Sequence, residues 1–184
     1  MKRRFFTWLF YRVLSWKKNI TVELPKKAIL CVAPHTSNWD FIYGQYFALA
    51  EGWKVGFLMK ESWFFWPLGV LFRKMGGVPV SRKKNQSLTE AMVKKMTDAE
   101  EMLLCITPEG TRQRNGKWKR GFYYIATGAN VPILLFGLDY ERKLVECSKM
   151  FVPIGDVEKD MLEIKRHFAQ YMAKYPGQFT IDEA

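Results

Sequence analysis

Two residues in the stretch 33–41 carry side chains suited to acid–base chemistry. His35 has an imidazole that can accept a proton, and Asp40, in the same stretch, has a carboxylate. If a helix begins at Asn38, the intervening residues can turn the carboxylate towards the imidazole, where it would fix the tautomer and stabilise the imidazolium. The pair then predicts a general base for a substrate hydroxyl. The alternative is an ordinary loop histidine beside an acidic first helical turn.

Two later clusters each place an arginine just beyond an apolar run and a turn. Residues 76–82 end at Arg82, and residues 107–112 end at Arg112. A guanidinium binds phosphate through two parallel hydrogen bonds. Both arginines are therefore candidate ligands for a phosphorylated substrate or a lipid head group.

The second cluster contains three further candidate substrate-binding residues, Glu109, Gly110 and Thr111. Glu109 lies amid positive charge and could orient an arginine or a substrate hydroxyl. The turn formed by Gly110 and Thr111 could offer backbone N–H groups to an anion. A plain structural turn would explain the glycine and the flanking Pro108 equally well.

The composition narrows the kinds of partner that the chain can have. The sequence has 184 residues, a formal net charge of +11 and 16% aromatic residues. Positive charge suits nucleic acid, an anionic membrane surface or a phosphorylated small molecule, and the aromatic content favours a lipid interface. The sequence has no glycine-aromatic RNA motif and no recognition-helix pattern, so nucleic acid is not an expected partner.

The cysteines give no sign of redox or metal chemistry. Cys31, Cys105 and Cys147 are widely spaced and lie in apolar runs. Neither a disulfide framework nor a zinc-binding pattern is present. We therefore expect small core residues and no metal site.

Basic and aromatic side chains are concentrated in residues 1–19. At about 100° per residue, one side of a helix would carry Phe6, Leu9, Phe10, Val13 and Trp16. This pattern predicts an amphipathic helix that associates with anionic lipids, although packing on the protein core remains an alternative. A signal peptide is disfavoured, because Arg12 interrupts the apolar run and no small-residue cleavage site follows.

A second candidate membrane surface lies in residues 61–75. This stretch is rich in aromatic residues, but Pro67 and Gly69 interrupt it. It could form a short broken helix that dips into lipid or lines a groove for an acyl chain, and burial in the core is the alternative. No stretch of the sequence reaches the roughly 20 apolar residues needed to cross a bilayer.

Short apolar runs alternate with helix-like stretches along the chain. The predicted strands are 28–33, 55–59, 78–80, 102–107, 133–138 and, more weakly, 145–152. The predicted helices are 38–51, 87–101, 119–128 and 157–175. This alternation predicts a single α/β domain over residues 20–184, with a mostly parallel central sheet flanked by helices. Ligands of such folds gather at the carboxyl ends of the strands, where the three clusters would meet.

Four blocks, taken in order, resemble those of the glycerolipid acyltransferases, the family of 1-acylglycerol-3-phosphate acyltransferase. The blocks are His35 with Asp40, Gly76–Arg82, Pro108–Arg112 and Val131–Leu134. The fourth block departs from the family pattern, which often has a second proline where this chain continues with Leu135 and Phe136. The likeness covers residues 28–138.

The resemblance implies an enzyme that moves a fatty acyl group from acyl-CoA or acyl carrier protein to a lysophospholipid hydroxyl. It implies a base, His35, supported by Asp40. It implies acceptor-binding residues at Arg82, Glu109, Gly110, Thr111 and Arg112. It also implies direct transfer, with no acyl-enzyme, no metal and no cofactor other than the donor.

Together with the N-terminal pattern, this resemblance leads us to expect a peripheral or monotopic protein at the cytoplasmic face of the cell membrane. Three alternatives remain open. They are acylation of another acceptor such as a lyso-aminolipid, hydrolysis of a thioester by water, and a non-enzymatic lipid-binding module.

Overall fold

The strands form one mixed sheet in a computed structural model that describes residues 2–80 and 88–182. The strands of this part of the chain are β1 (Lys17–Ile20), β2 (Lys27–Ala33), β3 (Val55–Lys60), β4 (Gly77–Val80), β5 (Met102–Ile106), β6 (Ile133–Asp139) and β7 (Leu144–Phe151). Their order across the sheet is β1-β7-β6-β2-β5-β3-β4. Strands β6, β2, β5, β3 and β4 are parallel, β7 is antiparallel to β6, and β1 is parallel to β7. The predicted α/β fold with a mostly parallel sheet is confirmed.

Helices cover both faces of the sheet. The described helices are α1 (Lys2–Trp8), which continues as a π-helical turn over Leu9–Val13, α2 (Asn38–Glu51), α3 (Leu68–Lys74), α4 (Leu88–Asp98), α5 (Gly121–Ala129) and α6 (Val157–Phe168). Helices α4, α5 and α6 bury Met96, Phe122 and Ile164 in the core on one face. The N-terminal segment and α2 bury Phe10 and Phe47 in the core on the other face. The sheet is thus the middle layer of three.

The N-terminal segment differs from the single helix predicted for residues 1–19. Its helical part ends at Val13, and β1 then pairs with β7 at the edge of the sheet. Phe10 and Trp16 are 0% and 4% exposed, so both belong to the core. Phe5 and Trp8 remain exposed. The segment therefore buries some of its aromatic side chains in the core and leaves others exposed to solvent.

Residues 61–75 form a broken helical segment with exposed aromatic side chains. A single 3₁₀ turn, Glu61–Trp63, precedes the short helix α3. Trp63, Phe65 and Trp66 are all exposed. Across residues 2–80 and 88–182, no helix combines the length and the apolar character needed to cross a bilayer.

The last helix is shorter than the predicted helix over 157–175. It ends at Phe168, because the residues that follow bind the end of β6 instead. The backbone N–H of Tyr140 donates to the carbonyl of Met172 at 2.9 Å, and the Met172 N–H donates to the Asp139 carboxylate at 3.3 Å. These contacts bring residues 171–178, which we call the C-terminal segment, to the carboxyl edge of the parallel strands.

Candidate active site

The loop after β2 and the first turn of α2 place His35 and Asp40 side by side. Ser37 caps α2, since its Oγ accepts a hydrogen bond from the Trp39 N–H at 3.2 Å. The Asp40 carboxylate reciprocates by accepting the Ser37 N–H at 2.8 Å. This capping box bends the chain back on itself over a few residues. The helix start predicted at Asn38 is confirmed, and with it the means of bringing the two side chains together.

His35 and Asp40 are hydrogen-bonded. Nδ1 of His35 lies 3.1 Å from Oδ2 of Asp40. A carboxylate only accepts hydrogen bonds, so this contact assigns the proton of the neutral imidazole to Nδ1 and leaves the lone pair on Nε2. The same oxygen of Asp40 also accepts the backbone N–H groups of Thr36 and Ser37, each at 2.8 Å. Asp40 is 6% exposed, whereas the His35 side chain is partly open to solvent.

Tyr140 contacts the same carboxylate from the end of β6. Its hydroxyl donates to Oδ1 of Asp40 at 2.5 Å. Burial, together with the hydrogen bond to Asp40 and its negative charge, raises the pKa of Tyr140 well above the ordinary value, so the phenol stays protonated. Sequence reasoning missed this residue. Its place directly after a parallel strand, at the edge where ligands gather, was the signal that could have found it.

Glu109 lies beneath the loop that carries His35. It is 4% exposed, and its Oε1 accepts the backbone N–H of His35 at 2.7 Å. Its Oε2 is buried and has no hydrogen-bond partner among the described residues. Burial raises the pKa of Glu109 to about 8, and the negative charge of Asp40 contributes to the rise. A protonated carboxyl suits this position. Direct contact between Glu109 and an acceptor stays a prediction.

Gly110 and Thr111 form a compact turn after Glu109. Gly110 has a positive φ of +66°, and a Cβ there would lie 2.9 Å from Cγ of Lys119, so the turn favours glycine. The Gly110 N–H donates to the carbonyl of Thr107 at 3.2 Å. Thr111 accepts the N–H of Gln113 through Oγ1 at 3.2 Å. The N–H of Gly110, which was predicted to bind an anion, is therefore already hydrogen-bonded within the turn.

Arg112 reaches the start of α2. Its guanidinium donates to the side-chain oxygen of Asn38, three residues from His35 in the sequence. Arg112 is exposed, and its guanidinium has further N–H donors beyond the one that binds Asn38. The second predicted arginine, Arg82, lies outside the described residues.

The C-terminal segment closes over this loop. The Tyr175 N–H donates to Oγ1 of Thr36 at 3.2 Å. The side-chain amide of Gln178, oriented with its nitrogen towards two carbonyls, donates to Arg112 at 2.8 Å and to Thr36 at 3.0 Å. The ammonium of Lys174 lies 4.9 Å from the ring centroid of Trp39. Sequence reasoning assigned Lys174 and Tyr175 to the helix over 157–175, left Gln178 outside it, and gave none of the three a part in the site.

The fold thus brings six of the seven predicted site residues to one sheet edge and adds Tyr140 and the C-terminal segment. The hydroxyl of Thr111 accepts a hydrogen bond within its own loop, and Arg82 lies outside the described residues. Within the described part of the chain, no three His, Cys, Asp or Glu side chains converge to form a metal site. The arrangement defines an α/β protein in which a histidine is hydrogen-bonded to a buried carboxylate and an exposed arginine contacts the same helix start.

Comparison with known proteins places this arrangement in a family. Residues 16–137 match the family described as Acyltransferase. The chain therefore belongs to the acyltransferase family, as the resemblance in its four sequence blocks implies. All four blocks fall within the matched residues.

Two individual proteins are similar to this chain. A probable 1-acyl-sn-glycerol-3-phosphate acyltransferase of Mycoplasma pneumoniae is 31% identical over 148 residues, covering 75% of this chain and 54% of that protein. The chain thus spans about half the length of this relative. The crystal structure of PlsC, the 1-acyl-sn-glycerophosphate acyltransferase of Thermotoga maritima, superposes with a TM-score of 0.59 over 94% of this chain and 78% of that one. At 19% identity, this second likeness is one of fold.

Proposed function

We propose that the protein transfers a fatty acyl group from a thioester donor to the hydroxyl of a lysophospholipid such as 1-acylglycerol-3-phosphate. The observation that carries the proposal is the 3.1 Å contact between His35 Nδ1 and Asp40 Oδ2, which leaves Nε2 to take a proton. Family membership and the printed name of the bacterial relative support this acceptor. The donor in our proposal is acyl-CoA or acyl carrier protein, and no other cofactor takes part.

The reaction uses His35 first as a base and then as an acid. Nε2 removes the proton of the acceptor hydroxyl, whose oxygen attacks the carbonyl carbon of the thioester. The tetrahedral intermediate collapses, the C–S bond breaks, and the departing sulfur takes the proton from the imidazolium. The products are a new ester and a free thiol. Asp40 keeps the imidazole in one tautomer and stabilises its protonated form throughout.

Arg112 supplies the positive charge for the acceptor's phosphate in this proposal. Its guanidinium is exposed, and its hydrogen bond to Asn38 holds it beside the start of α2. A phosphate bound there would place a neighbouring glycerol hydroxyl near His35. Arg82 would contribute a second cation, as the resemblance implies. Glu109, Gly110 and Thr111 would support this subsite by shaping its loop.

We also propose that the protein works at the cytoplasmic face of the membrane as a peripheral or monotopic protein. Phe5 and Trp8 project from α1 with 54% and 55% of their surface exposed, beside the exposed basic residues Lys2 to Arg4. Rings and cations in this combination suit the interface of an anionic bilayer. The exposed aromatic side chains of residues 61–75 would provide a second contact.

A screen of donors against acceptors tests the proposed reaction. Purified protein is given labelled acyl-CoA or labelled acyl carrier protein, with 1-acylglycerol-3-phosphate, with a lyso-aminolipid, or with no acceptor. We expect a labelled diacyl product with the lysophospholipid only. Labelled free fatty acid in the absence of acceptor would instead identify a thioesterase. Lipid binding without turnover of any donor would favour a non-enzymatic module and contradict the proposal.

A further inference from the structure

Asp40 receives its hydrogen bonds from two separate parts of the fold. Oδ2 is bound by donors of its own loop, namely His35 Nδ1 and two backbone N–H groups. Oδ1 is bound by the hydroxyl of Tyr140, which is 100 residues away in the sequence. The family match covers residues 16–137, so Tyr140 lies just outside the matched residues. Nothing in the four sequence blocks assigns this contact.

We propose that Tyr140 is a positioning residue for the His35 and Asp40 pair, held in place by the C-terminal segment. The inference rests on the proposed function, in which His35 is the base. With a donor on each oxygen, the carboxylate cannot rotate about its Cβ–Cγ bond without breaking a hydrogen bond. Oδ2 therefore stays opposite Nδ1, and the imidazole keeps its Nε2 lone pair for the acceptor hydroxyl.

Tyr140 is itself fixed by its surroundings, as a positioning residue must be. Its ring packs edge-on against Trp16, with the centroids 5.3 Å apart, and also contacts Tyr43 at 6.0 Å. Its backbone N–H donates to Met172 in the C-terminal segment. The ammonium of Lys174 lies 5.7 Å from the ring centroid. A phenol held on several sides loses little further entropy when it binds the carboxylate.

Charge around the hydroxyl reinforces its role as a donor. Asp40 accepts from the phenol, and burial together with that carboxylate raises the pKa of Tyr140. Tyr43 and Tyr175 are also close enough to act in the same direction. Lys174 faces the ring, and Glu109 is close enough to Asp40 for the two carboxyl groups to influence each other. The phenol therefore donates, and does not accept, in this contact.

The test compares Tyr140→Phe with Tyr43→Phe. Both substitutions remove one hydroxyl and keep the ring, but only the first removes a bond to Asp40. Both are made in a His167→Gln background, which leaves His35 as the single histidine. The ring ¹⁵N chemical shifts then report the tautomer of His35 in the folded protein. This measurement needs no turnover.

We expect Tyr140→Phe to convert the Nδ1–H tautomer into a mixture of both tautomers, and Tyr43→Phe to keep the signal of the parent. In the acyl-transfer assay, Tyr140→Phe should lower kcat about ten- to hundred-fold with an unchanged KM for the acceptor, as the loss of a hydrogen bond to a charged group predicts. A purely structural role would lower the Tm and leave both readouts unchanged.

The outcomes separate this inference from the proposed function. If Tyr140→Phe alters the tautomer of His35 but the parent protein transfers no acyl group, the positioning role is supported and the proposed reaction is contradicted. An active parent whose tautomer and kcat both survive Tyr140→Phe would overturn the positioning role alone. Equal effects of Tyr43→Phe and Tyr140→Phe would also overturn it, since the bond to Asp40 would then be irrelevant.

Discussion

The carboxyl group of Glu109 binds the backbone N–H of His35 at 2.7 Å, so the third sequence block supports the first from beneath. This bond fixes the backbone from which the imidazole projects. The other oxygen of Glu109 is buried without a partner among the described residues, which is costly for a charged carboxylate and tolerable for a neutral carboxyl. The connection explains how residues 74 positions apart act as one site.

The buried Glu109 should make stability depend on pH. Its pKa is raised from 4.5 in the unfolded chain to about 8 in the folded one, so between these values the folded protein keeps a proton that the unfolded chain has lost. The free energy of unfolding therefore falls as the pH rises through this window, by about 5 kcal/mol at most. Glu109→Gln has no such proton and should remove this decline.

Urea unfolding at several pH values between 5 and 9, on the order of one measurement per pH unit, checks the Glu109 effect. The matched control is Glu23→Gln, which makes the same change at an exposed glutamate. The free energy of unfolding of the Glu23 variant should depend on pH as that of the parent does. If the Glu109 variant also shows the same pH dependence as the parent, the carboxyl of Glu109 is not protonated in the folded protein.

Loss of His35 should abolish most of the acyl transfer. Replacement of a general base typically costs about 10²- to 10⁴-fold in kcat, and we expect His35→Gln to fall in that range. His167→Gln is the matched control, because His167 is the other histidine of the chain and lies on α6. The labelled-donor assay measures both. Full activity of the His35 variant would rule out the mechanism.

Arg112 should govern the use of a phosphorylated acceptor. Arg112→Ala removes a guanidinium, and the loss of hydrogen bonds to a charged phosphate should raise the acceptor KM about ten- to hundred-fold. Arg114→Ala removes the same charge from an exposed position two residues later and should change KM little. The KM is measured with 1-acylglycerol-3-phosphate and with monoacylglycerol. An equal effect on both acceptors would contradict a role in binding phosphate.

The exposed rings of α1 should decide membrane association. Removing residues 1–18 is a poor test, because Phe10 and Trp16 would be lost from the core with them. Phe5→Ser with Trp8→Ser changes only exposed positions, and it should weaken binding to anionic vesicles by about a hundred-fold, given the free energy of burying two large side chains. Vesicle sedimentation measures the binding.

Two further variants complete the membrane experiment. Val152→Ser alters an exposed apolar residue that the proposal does not involve, and it should bind vesicles like the parent. Phe65→Ser with Trp66→Ser tests residues 61–75. If the Phe65 and Trp66 substitutions abolish vesicle binding and the Phe5 and Trp8 substitutions do not, the main membrane anchor lies in residues 61–75.

Secondary structure and local turns could be predicted from the sequence, because interactions between neighbouring residues largely specify them. The apolar runs of β2, β5 and β6 and the start of α2 were predicted closely, since periodicity and capping are local properties. The meeting of His35 with Asp40 followed from the same local turn. The convergence of the second arginine block on this loop followed from the rule for parallel sheets.

The sequence alone determined the α/β class, the family and the His35 and Asp40 pair. Each of these depends on residues that are close together in the chain or on motifs that occur in a fixed order. Only the tertiary structure decided that Phe10 belongs to the core, that Glu109 supports His35, and that Tyr140 completes Asp40. Those facts depend on contacts between residues far apart in the chain. Such contacts follow from how β6 and the C-terminal segment pack, and no local pattern encodes that packing.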